Sequence, residues 1–424
     1  MPTCVRKTGN GMTMAMFTEV ILRDWRQFSH VQVPLESPCT IITGVNGSGK
    51  TTLLTILSKH FGWNLHFVST PLLGKKRAQR YYSDIYDPQS FSETEELPEG
   101  SFEVGSIAYG DGAKCTLSTK ARTGANYHLD YNGIQQVAGL YIPSHRPVSV
   151  FAPVNDIPTN PIALSQLYQS YFSVLSQSMM SAGNLRNPAL TQKQNIIALA
   201  VFGESSEHVE ANPEYVGRIK EFEAALKQAL PQDLGFERLI IRSPDIVLRT
   251  KTGDFSIDSM SGGINAIFSI VWQIYCFGIG KTEFVVAIDE PENHLHPSMQ
   301  KTFLPNLLTA FPHVKFIVAT HSPFIVSSFA EATVVSLQRT SEDGPRSRIH
   351  SEILEAADLS ATPNSILRDV LKVDSVLPIW VDAKIRELLK MADGMPDEQR
   401  GSFLMNQLEE LGIGDSIAEY GASQ

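Results

Sequence analysis

At 424 residues the chain is long enough for one large domain or two ordinary ones, with ample material for a core. Its 42% hydrophobic and 19% charged residues exclude a disordered chain, and the lack of any uncharged run long enough to cross a bilayer excludes a transmembrane role. A formal net charge of −10 argues against a protein coated in nucleic acid, while a local basic patch can still meet a phosphate backbone.

Residues 1–16, "MPTCVRKTGNGMTMAM", carry two basic residues but no apolar core and no small-residue cleavage site, so they read as an unstructured leader rather than an export signal. The four cysteines, Cys4, Cys39, Cys115 and Cys276, are far apart and form no CxxC, which fits a reducing compartment, argues against a zinc site and places the chain in the cytoplasm.

The first informative element is "CTIITGVNGSGKTTLLTILSKHF": an apolar strand from Thr40 to Thr43, a glycine-rich turn, then helical periodicity. The spacing is that of a P-loop. Gly44, Gly47 and Gly49 let the backbone curl so that the N–H groups of Asn46 to Thr52, with Ser48 among them, face an anion. Lys50 then reaches the β and γ phosphates of ATP and the Thr51 hydroxyl meets Mg²⁺.

Downstream, "GKKRAQRYY" sets Lys75, Lys76, Arg77 and Arg80 beside Tyr81 and Tyr82, a composition suited either to DNA or to a solvated surface. Alternating runs, "FEVGSIAY", "AKCTLST" and "NYHLDYNG", predict an antiparallel lobe, and "AGLYIPSHR" a further strand. Residues 161–235 read as a compact helical insertion, with no heptads sustained long enough for a coiled-coil arm. Then "LIIRSPDIVLRTKTGDFSID" predicts two short strands leading into "SMSGG" and a strongly apolar helix.

In "KTEFVVAIDEPENHLHP" five apolar residues deliver Asp289 and Glu290 to a strand end. Asp289 is placed to hold Mg²⁺ through its water shell and Glu290 to polarise the attacking water as general base. The strand of "HVKFIVATHSPF" ends in Thr320 and His321, and His321 reads as a γ-phosphate sensor. His294 and His296, two residues apart without a nearby third ligand, read as a loop touching a partner subunit rather than a metal pair. Beyond "ATVVSLQR" the stretches "SVLPIWVDAKIRELLKMA" and "GSFLMNQLEELGIGDSIAEY" have apolar positions at helical spacing.

Together these residues resemble the ATP-binding-cassette class of ATPases. "SMSGG" looks like its signature motif, with Met260 and Ile264 departing from the usual flanks; the resemblance implies that Ser261, Gly262 and Gly263 face the γ-phosphate held by another subunit's P-loop. A homodimer with two composite ATP sites, or a higher oligomer, follows from it. Within the class, "FTEVILRDWRQFSHVQVPLESPCTIITGVNGSGKTTLL" resembles the RecF, SMC and OLD branch, and "DEPENHLHP" with "ATHSPF" the OLD-like subgroup. The Gln of the Q-loop is not evident, and by position Ser144 or His145 stands in for it.

The implied fold is α/β: an ABC-type P-loop ATPase core with an antiparallel β lobe, a compact helical insertion and a helical C-terminal region. Its expected divisions are 17–160, 161–235, 236–340 and 341–424. Residues 340–424 show no Glu followed by a DxD pair, so the Toprim nuclease of the full OLD proteins is not expected. Stand-alone OLD-like ATPases of this size resemble the ATPase subunits of bacterial anti-phage systems such as the Septu type, which implies ATP and Mg²⁺ as cofactors, a separately encoded effector and a DNA or phage-derived signal. A repair ATPase of RecF type, and more distantly a transporter's nucleotide-binding subunit, are the alternatives.

Overall fold

The structure is a computed structural model, which describes residues 15–73, 79–83, 100–146, 151–159, 163–180, 187–340, 348–355, 362–373, 375, 377–393 and 395–412. The chain divides into two units, Met1–Leu354 and Glu355–Gln424. Among the described residues no helix is long and apolar enough to cross a membrane.

In the first unit, the antiparallel pair β1 (Phe17–Trp25) and β2 (Phe28–Pro34) precedes β3 (Cys39–Gly44) and α1 (Lys50–Ser58). Three short strands follow, β4 (Phe67–Val68), β5 (Thr70–Leu73) and β6 (Gln79–Tyr82), then the hairpin of β7 (Ser101–Tyr109) and β8 (Lys114–Lys120). After β9 (Arg122–Thr123), β10 (Asn126–Tyr127) and β11 (Asp130–Asn132) the chain reaches β12 (Gly139–Ile142). Helices α2 (Leu167–Met180), α3 (Pro188–Gly203) and α4 (Pro213–Ala229) lead to a meander of β13 (Phe236–Arg242), β14 (Asp245–Thr250) and β15 (Gly253–Ser256). Then come α5 (Gly262–Gly278), β16 (Phe284–Asp289), α6 (Pro297–Ala310), β17 (Val314–Ala319), the single turn α7 (Pro323–Val326), β18 (Thr333–Arg339) and β19 (Ile349–Ile353).

An eleven-stranded sheet in the order β11-β8-β7-β1-β2-β19-β18-β3-β17-β16-β12 organises this unit. Strands β18, β3, β17, β16 and β12 run parallel, so their carboxyl ends open along one edge, where α/β sheets bind ligands. β3 and β16 are buried at every residue, which is why neither shows the polar alternation of a half-exposed strand. The fold is mixed α/β, with one large sheet, a glycine-rich turn between β3 and α1, and a helical C-terminal region. The antiparallel strands β1, β2, β7, β8 and β11 extend the same sheet rather than forming a lobe apart from it.

Two expectations change. The sheet does not end at residue 340: β19 pairs antiparallel with β18 and parallel with β2, closing the gap between the two halves, so the first unit continues through Leu354. "IHSEI" escapes a sequence reading because only Ile349 is fully buried there, leaving no apolar run to mark it. The segment before the signature holds three strands, not two, because Gly253 at φ 140° turns the chain back into β15.

The helical insertion grips α5, the helix headed by Ser261. Phe222 of α4 packs edge-on against Phe268 and Trp272 of α5, with ring centroids 5.5 and 5.0 Å apart. Lys193 of α3, 1% exposed, pairs with Asp258 at 2.6 Å and Asp245 at 2.8 Å and donates to the Ala152 carbonyl. A lysine so deeply buried is tolerated where its donors are met, as they are here by both carboxylates and the carbonyl, and Asp258 lies three residues before Ser261.

In the second unit, helices Ile379–Ala392 and Asp397–Glu410 gather around Leu377, Val381, Ile385, Leu388 and Leu408. The spacing of Val381, Ile385 and Leu388 forms the apolar stripe expected of a half-buried helix.

Candidate nucleotide site

β3 ends in Gly44 at φ 142°, and Gly47 at 76° and Gly49 at 99° keep the turn in backbone geometry that side chains resist. Two of these glycines are also required by close approach. A Cβ on Gly44 would lie 2.6 Å from the Leu337 carbonyl oxygen, and one on Gly49 would lie 2.3 Å from the Phe28 ring. The Lys50 ammonium donates back to the carbonyls of Gly44 and Val45 at 2.8 and 3.2 Å. Burial holds its pKa below the usual lysine value, against the pull of Glu290, Asp289 and Glu292.

Gln27, Asn46, Gly47, Thr52, Glu290 and His321 line, with Gly49, Lys50 and Thr51, an open cavity of about 390 Å³ at this turn, a size suited to a small ligand. Thr51 donates to Asp289 at 2.8 Å. The buried Ser48 hydroxyl and Asp289 Oδ1 make no hydrogen bond to protein. A glycine turn that no side chain can fill, an ammonium at its centre and two unsatisfied oxygens beside it fit a nucleotide phosphate with Mg²⁺. Lys50 would hold the phosphates, and Thr51 and Asp289 the ion. A bound nucleotide–metal pair would supply the electrophilic phosphorus, and this chain's residues would bind and orient it.

The two acids at the end of β16 divide their environments. Glu290 has φ 45°, a left-handed conformation costing about 1–3 kcal/mol in a residue with a side chain, and its N–H donates to the Ala319 carbonyl at 2.8 Å. That geometry turns its carboxylate into the cavity, where Asn293 Nδ2 donates to it at 3.2 Å. Glu292 is buried. It accepts from the Thr320 hydroxyl at 2.7 Å and the His321 N–H at 2.8 Å, and His321 Nδ1 lies 3.2 Å from it against 3.7 Å from Glu290. Glu292 therefore orients the strand-end histidine, while Glu290 is free to meet a water.

Burial, then the neighbouring Glu290 and Glu292, push the Asp289 carboxyl from 3.8 up to about 6, opposed by the Thr51 hydrogen bond and Lys50. Because the folded value lies above the unfolded one, this group's contribution to stability is present below about 4 and lost as pH rises towards about 6. At ~1.4 kcal/mol per pH unit, the ionised form costs the fold about 3 kcal/mol. Asp289→Asn should therefore melt higher than the parent chain at pH 7 and converge with it near pH 4, while losing Mg²⁺-dependent nucleotide binding. Thermal melts of both proteins across this range check it, and a lower midpoint at pH 7 overturns it.

Ser261 caps α5, its Oγ accepting from the Ile264 N–H at 3.5 Å. The glycines that follow have a local reason to be glycine: a Cβ on Gly262 would lie 3.3 Å from His294 Cβ, and one on Gly263 would lie 3.0 Å from the His294 carbonyl oxygen. His294, at φ 74°, is thus packed on Gly262 and Gly263 of its own chain, and His296 caps α6 through the Ser298 N–H.

Ser144 and His145 hydrogen-bond each other at 3.2 Å at the end of β12 and do not line the nucleotide cavity. Their neighbour Arg146 does the connecting, its Nη2 donating to the carbonyls of Glu290, Pro291 and Asn293 at 3.2 to 3.4 Å. Arg146 and Gln27 are the site residues that sequence reasoning passed over, whereas Glu292 reads from the sequence as the acid next in line to Glu290 for the role of base. Only Glu292, one residue beyond "DEP", carried a local signal. Lys75, Lys76 and Arg77 lie outside the described residues, as do residues 1–14 of the leader; Arg80 falls on β6.

Residues 194–327 match the family described as "AAA domain, putative AbiEii toxin, Type IV TA system", and residues 19–71 one described as "AAA domain". The chain is similar to the Retron Vc95 probable ATPase of Vibrio cholerae serotype O1 biovar El Tor, 43% identical over 10% of this chain and 9% of that one. It is similar to the Retron Ec83 probable ATPase of Escherichia coli, 36% identical over 17% and 14%, and to the Septu protein PtuA of Bacillus thuringiensis, 26% identical over 37% and 42%. The matches therefore span less than half the length of each of these relatives. Among solved structures, the Smc head domain with an extended coiled coil bound to the C-terminal domain of ScpA from Pyrococcus furiosus aligns with 81% of this chain and 98% of its own at 16% identity and a TM-score of 0.47.

Proposed function

We propose that the chain binds and hydrolyses ATP with Mg²⁺ as a nucleotide-driven switch in anti-phage defence, closing as a head-to-tail dimer and controlling a separately encoded effector such as a nuclease or toxin. The observation that carries the ATPase reading is the convergence of Lys50, Asp289, Glu290 and His321 at the ends of three adjacent parallel strands, β3, β17 and β16. Lys50 holds the phosphates, Thr51 and Asp289 the ion, Glu290 takes the proton of the attacking water, and His321, steadied by Glu292, faces the γ-phosphate. The likeness to retron and Septu ATPases supports the defence setting. In the dimer, Ser261 at the head of α5 meets the nucleotide of the partner, and ATP binding and hydrolysis alternate closed and open states that restrain or release the effector. The signal proposed is DNA or another phage-derived molecule, with Lys75, Lys76, Arg77 and Arg80 as the candidate contact if it is DNA.

The test pairs biochemistry with infection. The purified chain should hydrolyse ATP only with Mg²⁺, and Lys50→Ala should abolish nucleotide binding; failure of the parent chain to bind ATP overturns the reading. Co-expressed with its neighbouring gene, the chain should lower phage plating, and loss of that protection in Lys50→Ala ties the defence to the nucleotide.

A further inference from the structure

Below the head of α5 lies a second cavity, of about 90 Å³, between the helical insertion and the catalytic turn. It is separate from the P-loop cavity and shares none of its lining residues. Its lining sets Arg146, Gln192 of α3, Tyr171 of α2, Ser269 of α5 and the first-turn backbone at Gly262 among the apolar Pro188, Ala189 and Ala266. No acidic side chain is among the described residues that line it.

Three observations point to a ligand. Gln192 is 5% exposed, yet its Nε2 has no hydrogen-bond partner. Arg146 uses Nη2 on the catalytic turn, while its buried Nε and Nη1 are likewise unpartnered. Unsatisfied buried donors are costly, about 1–3 kcal/mol each and more when charged, so a site that gathers several is built to be completed by an acceptor. The end of α5 adds N–H groups without intrahelical partners and the positive end of a seventeen-residue helix.

We propose that this cavity binds a small anion, a phosphate- or carboxylate-bearing metabolite, held between Arg146, Gln192 and the head of α5. At 10–15 Å³ of such space per water-sized group, the cavity admits roughly six to nine non-hydrogen atoms, too few for a nucleotide. The ligand would touch the helical insertion, the signature helix and the arginine that supports the Glu290 turn at once. Its occupancy would therefore adjust hydrolysis; that consequence rests on the ATPase reading, whereas binding itself does not.

The test is titration calorimetry on the full chain with the P-loop saturated by a non-hydrolysable ATP analogue and Mg²⁺, using inorganic phosphate and, separately, succinate. Saturable binding of one ligand per chain is expected from at least one of them. Phosphate alone identifies a phosphate-bearing ligand, and succinate alone a carboxylate. Gln192→Leu should weaken binding about tenfold or more by removing the unpartnered donor. Ala266→Leu, on the cavity wall, should fill the space and abolish it. Both variants should keep the parent's affinity for the ATP analogue, which shows that they fold; if Ala266→Leu melts early, Gln192→Leu decides alone. The proposal is overturned if neither anion binds up to roughly 20 mM, or if binding is the same in Gln192→Leu as in the parent chain.

Discussion

Glu290→Gln is expected to bind ATP as the parent chain does and to turn it over roughly 10²- to 10⁴-fold more slowly, the usual contribution of a general base. Glu292→Gln should behave differently. Its carbonyl oxygen can still accept from Thr320 and from the His321 N–H, but the buried negative charge beside His321 Nδ1 is gone. The expected result is a smaller fall in kcat, about tenfold, with KM little changed, because the contact that steadies the His321 ring is weakened while Glu290 still meets the water. Single-turnover hydrolysis with both variants separates the roles. If Glu292→Gln were the slower of the two, with Glu290→Gln near the parent rate, the base would be Glu292 and Glu290 a turn residue.

The second large effect concerns the head of α5. Because a side chain at Gly262 or Gly263 would crowd His294 of the same chain, substitutions there would mix a local packing effect with any effect on the partner. Ser261 is exposed, and Asp caps a helix as well as Ser, so Ser261→Asp keeps α5 intact while placing a negative charge where the partner's γ-phosphate would sit. Ser261→Asp should bind ATP and fail to hydrolyse it. Mixed in equal amounts with the equally inactive Lys50→Ala, it should recover about a quarter of the parent activity, since half the random dimers are mixed and each of those has one undamaged composite site. Verified mixed dimers without recovery would mean that both sites must fire together or that Ser261 acts within its own chain. Full activity of Ser261→Asp alone would remove the signature from the mechanism.

What the sequence determined by itself lies within short stretches. The P-loop was legible because strand, turn and helix occupy consecutive residues from Cys39 to Ser58, and the glycine spacing reflects local backbone geometry. Asp289, Glu290 and His321 were legible for the same reason: an apolar run buried on both faces must end where the sheet ends, and the polar residues that follow it stand at that edge. The tertiary structure decided everything that depends on which strand lies beside which. β19 became part of the sheet because β18 and β2 leave a place between them. Gln27 reached the P-loop because Phe28, next to it, packs against Gly49. Arg146 found the Glu290 turn only because β12 is paired with β16. Gln192 and Arg146, 46 residues apart, face one cavity because the Lys193 ion pairs and the Phe222 stack hold the helical insertion on α5. Neighbours made by sheet order and helix packing leave no periodicity in the chain, so contacts of that range became visible only in the fold.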